Sequence, residues 1–128
     1  MRIWLVMLAL ALALMAGSVT AQESGMRVAL DVLATAVENR QPVEATAPIQ
    51  SGVGELFYFT EVHGGPGSLQ HVWIWQGRTM ATVPIEVRSS RFRTWSSKRI
   101  QPDWTGQWRV EARTTDGKVL SFKEFVVE

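Results

Sequence analysis

The dipeptide Asp116-Gly117, set between two runs of alternating apolar and polar side chains, constrains the fold more than any other stretch of the chain. Asp-Gly suits a two-residue hairpin turn, whose central residues need positive φ. Upstream, Trp108, Val110 and Ala112 alternate with Arg109, Glu111 and Arg113. A period of two sends the first set to one face of a strand and the second to the other. Downstream, over Lys118 to Val127, Leu120 and Phe122 give way to Phe125 and Val127. That change of phase predicts a β-bulge near Lys123-Glu124.

The rest of the chain repeats the theme. Val28, Leu30 and Val32 predict a strand over Met26 to Val37, broken by Glu38-Asn39-Arg40-Gln41-Pro42. Val43 to Val53, with Pro48 and Gly52, reads as an extended connection. Leu56 to Val62 is bulky on both faces and reads as a central strand. His63 to Ser68 reads as a turn into a partner strand, Leu69 to Gln76, with His71, Trp73 and Trp75 on one face and Val72 and Ile74 on the other. Gln76-Gly77 makes a tight turn into Thr79 to Val87, which points Ala81, Val83, Ile85 and Val87 inward; Pro84 lacks a donor and marks an edge. Seven short strands without a convincing helix predict an all-β, antiparallel, immunoglobulin-like β-sandwich forming a single domain over residues 22–128.

Met1-Arg2, the apolar run Ile3 to Ala16 and the small residues Gly17-Ser18-Val19-Thr20-Ala21 predict a secretory signal peptide over residues 1–21, cut after Ala21. The apolar run is too short for an ordinary membrane span, and an uncleaved N-terminal anchor is the alternative. Cleavage implies a periplasmic or secreted protein with no stable membrane span. Of 128 residues, 107 then remain, and loss of Arg2 takes 13 basic residues to 12, against 12 acidic ones. A neutral mature chain argues against general nucleic-acid binding. With no cysteine, thiol chemistry, disulfides and cysteine metal sites are excluded. The two histidines, His63 and His71, are poor material for a metal shell, so neither metal nor cofactor is expected.

Positive charge is local: Arg88, Arg91, Arg93, Lys98 and Arg99 precede the next acid, Asp103. Alternation places Arg91, Arg93, Trp95 and Ser97 on one side of an extended chain and Phe92, Thr94, Ser96 and Lys98 on the other. One reading is an edge strand in which Trp95 caps the core beneath arginine methylenes. The other is a binding surface, in which Arg93, Lys98 and Arg99 face an anion and Trp95 offers a stacking ring.

The ordered blocks Glu38-Asn39-Arg40-Gln41-Pro42, Phe57-Tyr58-Phe59-Thr60-Glu61, His71-Val72-Trp73, Phe92 to Lys98, Gly106-Gln107-Trp108-Arg109-Val110 and Asp116-Gly117-Lys118-Val119-Leu120 resemble a bacterial family, domain of unknown function 2914, over about residues 35–127. The resemblance implies the extracytoplasmic part of an exported or membrane-attached protein, without an established activity. It also implies that Thr60, Glu61, His71, Trp73, Trp95, Ser96, Ser97 and Lys98 belong together.

Three functions compete. The first is a non-catalytic module recognising an envelope protein or an anionic glycan through Arg93, Trp95, Ser97, Lys98 and Arg99, with His71, Glu61, Trp73 and Trp104 contributing. The second is a small hydrolase built on Glu61 and His71, expected to oppose each other across a hairpin, with Ser96 or Ser97 as nucleophile. The third is an assembly domain acting by strand addition. Trp73, Trp75, Trp95, Trp104 and Trp108 could instead form a platform for sugar rings or serve the core.

Overall fold

The computed structural model describes residues 25–128; the expected signal peptide lies outside them. Eight strands, β1 (Arg27–Glu38), β2 (Gln41–Glu44), β3 (Glu55–His63), β4 (Gly67–Trp75), β5 (Arg78–Val87), β6 (Arg91–Arg99), β7 (Gly106–Thr114) and β8 (Val119–Val127), form two antiparallel sheets. The first sheet runs β2-β1-β3-β6 and the second β5-β4-β7-β8. Setting β2 aside, the strands follow an immunoglobulin-like order in which the fourth strand joins the second sheet. The β-sandwich expected from the alternation is therefore present, with one strand more than the seven counted.

That extra strand corrects the reading of Glu38 to Pro42 as a plain break. Asn39 and Arg40 both have positive φ, 52° and 60°, so they turn β1 directly into β2. This is the backbone of a primed hairpin turn, with arginine where glycine is usual. The connection then crosses to the second sheet, where Ile49 makes a parallel bridge with Val127.

β3 and β4 are not hairpin partners. Bulky residues on both faces of β3 suit a strand with two neighbours, and these are β1 and β6. The His63 to Pro66 link instead carries the chain between sheets. Gly64, at φ 95°, donates its N–H to the Ser90 carbonyl at 2.9 Å and lies against the Gly25 carbonyl, where a Cβ would not fit. The bulge expected at Lys123-Glu124 occurs instead where Ala112 pairs with Ser121 and Arg113 with Val119, skipping Leu120. Phe122 is thereby turned outward, 46% exposed.

Between the sheets, Leu56, Tyr58, Trp73, Trp108, Val110, Ile100, Phe125 and Val127 form one buried cluster, and Met26, Val62, Leu69, Ile85 and Val87 a second. Trp73, buried on β4, fills the sandwich without a disulfide.

Candidate functional site

β6 lies at the edge of the first sheet, and its register against β3 fixes which side chains share a face. Phe59 pairs with Trp95, Glu61 with Arg93 and His63 with Arg91 on the outer side; Tyr58 pairs with Ser96 and Thr60 with Thr94 on the inner side. The predicted alternation is therefore observed. Trp95 does not cap the core, however, but stacks on Phe59 on the outer face, with centroids 6.1 Å apart and planes at 10°. The Arg93 guanidinium lies 6.0 Å from the Phe59 ring centroid. Ser97 and Arg99 are exposed further along the strand.

Glu61 is the electrostatic centre of that face. Only 7% exposed, it accepts from His63 Nε2 at 2.7 Å, Arg93 Nε at 3.1 Å and Arg91 Nε at 3.2 Å. The His63 hydrogen bond, followed by those from the arginines, outweighs desolvation and holds the carboxyl down at about 2. Arg91 and Arg93 are thus partly spent on their own sheet.

The expected Glu61–His71 pair does not form, because the two residues stand in opposite sheets and Glu61 points outward. His71 is completely buried. Its Nδ1 lies 2.8 Å from Ser96 Oγ and its Nε2 3.1 Å from Thr60 Oγ1, while Trp73 Nε1 donates to Ser96 Oγ at 3.1 Å. The assignment that uses every group has the Ser96 hydroxyl donating to Nδ1 and Nε2–H donating to Thr60. Burial pushes the imidazole down to about 3, so it is neutral. Three of the resembling blocks do meet here, but their inward members, Thr60, His71, Trp73 and Ser96, form a hydrogen-bonded clamp between the sheets. With Ser96 6% exposed and Thr60 fully buried, no substrate reaches this serine–histidine pair as it stands.

Lys98 and Trp104 belong to one end of the sandwich. The Lys98 ammonium lies 5.1 Å from the Trp104 ring centroid, and the Arg78 guanidinium 5.9 Å from that of Trp75. Trp75 and Trp104 are tilted by 33°, and Trp108 behind them stacks on Phe125. Cations over two non-coplanar rings make this a capped end rather than an open sugar platform.

Two residues absent from the sequence-based set complete the basic surface. Arg40, Arg88, Phe92, Arg93, Thr94 and Trp95 line a cavity of about 400 Å³. Arg40 and Arg88 make no ion pair among the described residues. Arg88 was visible in the basic run, whereas Arg40 is brought in by the Asn39-Arg40 turn, which lacks the usual glycine. A non-glycine residue held in the left-handed region costs about 1 kcal/mol.

The outer face of the second sheet carries a separate ladder. Glu111 accepts from Arg109 Nε and Arg113 Nε at 2.6 Å each, and Arg109 lies 3.7 Å from the Phe122 centroid. Burial raises the Glu111 carboxyl, but the two arginines outweigh it and hold the group below its usual range. Among the described residues no three acidic or histidine side chains are placed to hold a metal, and no helix is long and apolar enough to cross a membrane.

No curated protein matches the chain. The family match begins just before β4 and runs through β8, so the blocks at Glu38 to Pro42 and Phe57 to Glu61 fall outside it. Residues 66–127 match the family described as Protein of unknown function (DUF2914).

Proposed function

We propose that this is an exported, non-catalytic binding domain of the bacterial cell envelope that recognises an anionic partner on the β6 side of the first sheet. The observation that carries this reading is the cavity whose lining includes Arg40 and Arg88, neither of them ion-paired among the described residues, together with Arg93 and Trp95. Unpaired guanidiniums offer their donors to carboxylate, sulfate or phosphate, and the neighbouring ring adds a stacking surface. That Arg40 occupies a strained turn position where glycine would be easier also supports a role outside folding. Trp95, Ser97 and Arg99 extend the surface; Glu61 holds Arg91 and Arg93 in place, and His71 and Trp73 support it from within.

Arg93 and Lys98 are poor positions for a test, because one holds Glu61 and the other covers Trp104. Arg40→Gly combined with Arg88→Glu removes the two cavity-lining arginines that make no ion pair among the described residues, while easing the strained turn. Titration with a sulfated oligosaccharide and with a polyglutamate peptide should show salt-sensitive binding of at least one ligand by the wild type. The variant should bind about tenfold more weakly or worse, with an unchanged or higher melting temperature. Equal binding by the two proteins, or no binding of either ligand by the wild type, would refute the proposal.

A further inference from the structure

We infer that the partner is an extended, acidic polypeptide segment that adds to the free edge of β6 as a new strand of the first sheet; this rests on the anion-recognition reading above. β6 pairs with β3 from Arg91↔His63 to Arg99↔Glu55 without a register shift. Among the described residues, nothing pairs with its other side. An unbroken strand of this length presents a row of N–H and C=O groups that an incoming strand can match.

The remaining edges are less suited. β5, the edge of the second sheet, is interrupted by Pro84 and by a register shift opposite Trp73 and Ile74. β2 has four residues. The end of β8 is bridged by Ile49. Of the long edges, β6 alone is both regular and free of proline.

Charge decides what can dock there. Antiparallel pairing of β6 with the β6 of a second copy, centred on Trp95, sets Arg91 opposite Arg99 at both ends. Like charges directly opposite destabilise a strand pair, so β6 disfavours its own copy. An acidic strand reverses the sign of the same contacts. Its outer-face side chains would stand beside Arg91, Arg93, Trp95, Ser97 and Arg99, because neighbours across a ladder share a face. Arg40 and Arg88, around the adjoining cavity, extend the complementary charge.

The test uses a ten-residue peptide alternating Glu and Val, and two analogues N-methylated either on every Glu or on every Val. Alternate N–H groups of an added strand face the host edge, so the two analogues must differ if a ladder forms. Binding followed by fluorescence anisotropy should show one analogue near the parent and the other at least about tenfold weaker, while alternate β6 amides gain protection from hydrogen exchange. Arg88→Glu with Arg99→Glu should weaken the parent about tenfold. If both analogues bind like the parent, or if a sulfated oligosaccharide binds and no peptide does, strand addition is overturned and anion recognition survives. If neither peptide nor oligosaccharide binds, both fall.

Discussion

Acidification should weaken the fold through His71, in a pH range where the carboxylates are still ionised. The imidazole has an ordinary pKa of 6.5 in the unfolded chain and about 3 in the folded one. Above pH 6.5 it is neutral in both states and contributes no pH dependence. Below that, the unfolded chain takes up a proton that the folded chain refuses, so stability falls as pH falls, until the folded-state pKa near 3 is reached. One proton of difference corresponds to about 1.4 kcal/mol per pH unit, so moving from pH 7.5 to pH 5 should cost ~2 kcal/mol. The reason is burial: the imidazolium would be cut off from water, and a proton on Nδ1 would also face the Ser96 hydroxyl hydrogen that donates to it. Urea unfolding between pH 7.5 and pH 5, in a His63→Gln background that leaves one imidazole, measures the slope. His71→Asn in the same background should be less stable at pH 7.5 but nearly flat over the window. A flat profile with His71 present, or the same slope after its removal, would show that the imidazole is not shut away as described.

The clamp and the outer face give two more expectations. Ser96→Ala leaves the Trp73 N–H and His71 Nδ1 without their shared partner and should lower unfolding free energy by about 2–3 kcal/mol; a change under about 0.5 kcal/mol would show that the hydroxyl is dispensable. Glu61, whose carboxyl is held at about 2, adds stability that is present above about pH 4.5 and lost as pH falls toward 2. Glu61→Gln should therefore melt lower than wild type at pH 6, and the gap between their melting temperatures should narrow by pH 2.5; a gap independent of pH would contradict the assignment.

Where sequence and structure agree, a local signal sufficed. Gln76-Gly77 forms the two-residue turn its sequence announces, Asp116-Gly117 marks the place of a turn that proves to be a three-residue loop with only Gly117 at positive φ, and the alternation in β5, β6 and β7 assigns faces directly. The disagreements arise where one local pattern fits two global outcomes. His63-Gly64-Gly65-Pro66-Gly67 would serve a hairpin or a passage between sheets, and only the pairing of β3 with β1 and β6 decides between them. Once β3 and β4 part, Glu61 and His71 part as well, one toward solvent and one into the core. Asn39-Arg40 hides a turn because arginine masks its geometry, and the same disguise kept Arg40 out of the expected site. On β8, a phase change between Phe122 and Phe125 marks an irregularity without saying where it falls. The grouping of Thr60, His71, Trp73 and Ser96 was anticipated from family resemblance, but their chemistry was not, since burial alone turns a serine–histidine contact into a clamp.

The links between the earliest and latest strands bear on how the chain matures as it is made. Tyr58 reaches Ser121, 63 residues further on, at 2.9 Å, and Ile49 N–H donates to the Val126 carbonyl while Glu128 N–H donates to that of Ile49. The inner face of β3 is therefore closed by residues of β7 and β8, which are made well after it. A nascent chain that has completed β1 to β6 still carries Leu56 and Tyr58 without their partners on β7 and β8, and contacts of such long range form slowly. Until β7 and β8 have been made, the half-finished sandwich exposes the apolar face they later cover, so β3 reaches its final packing only when both sheets are complete.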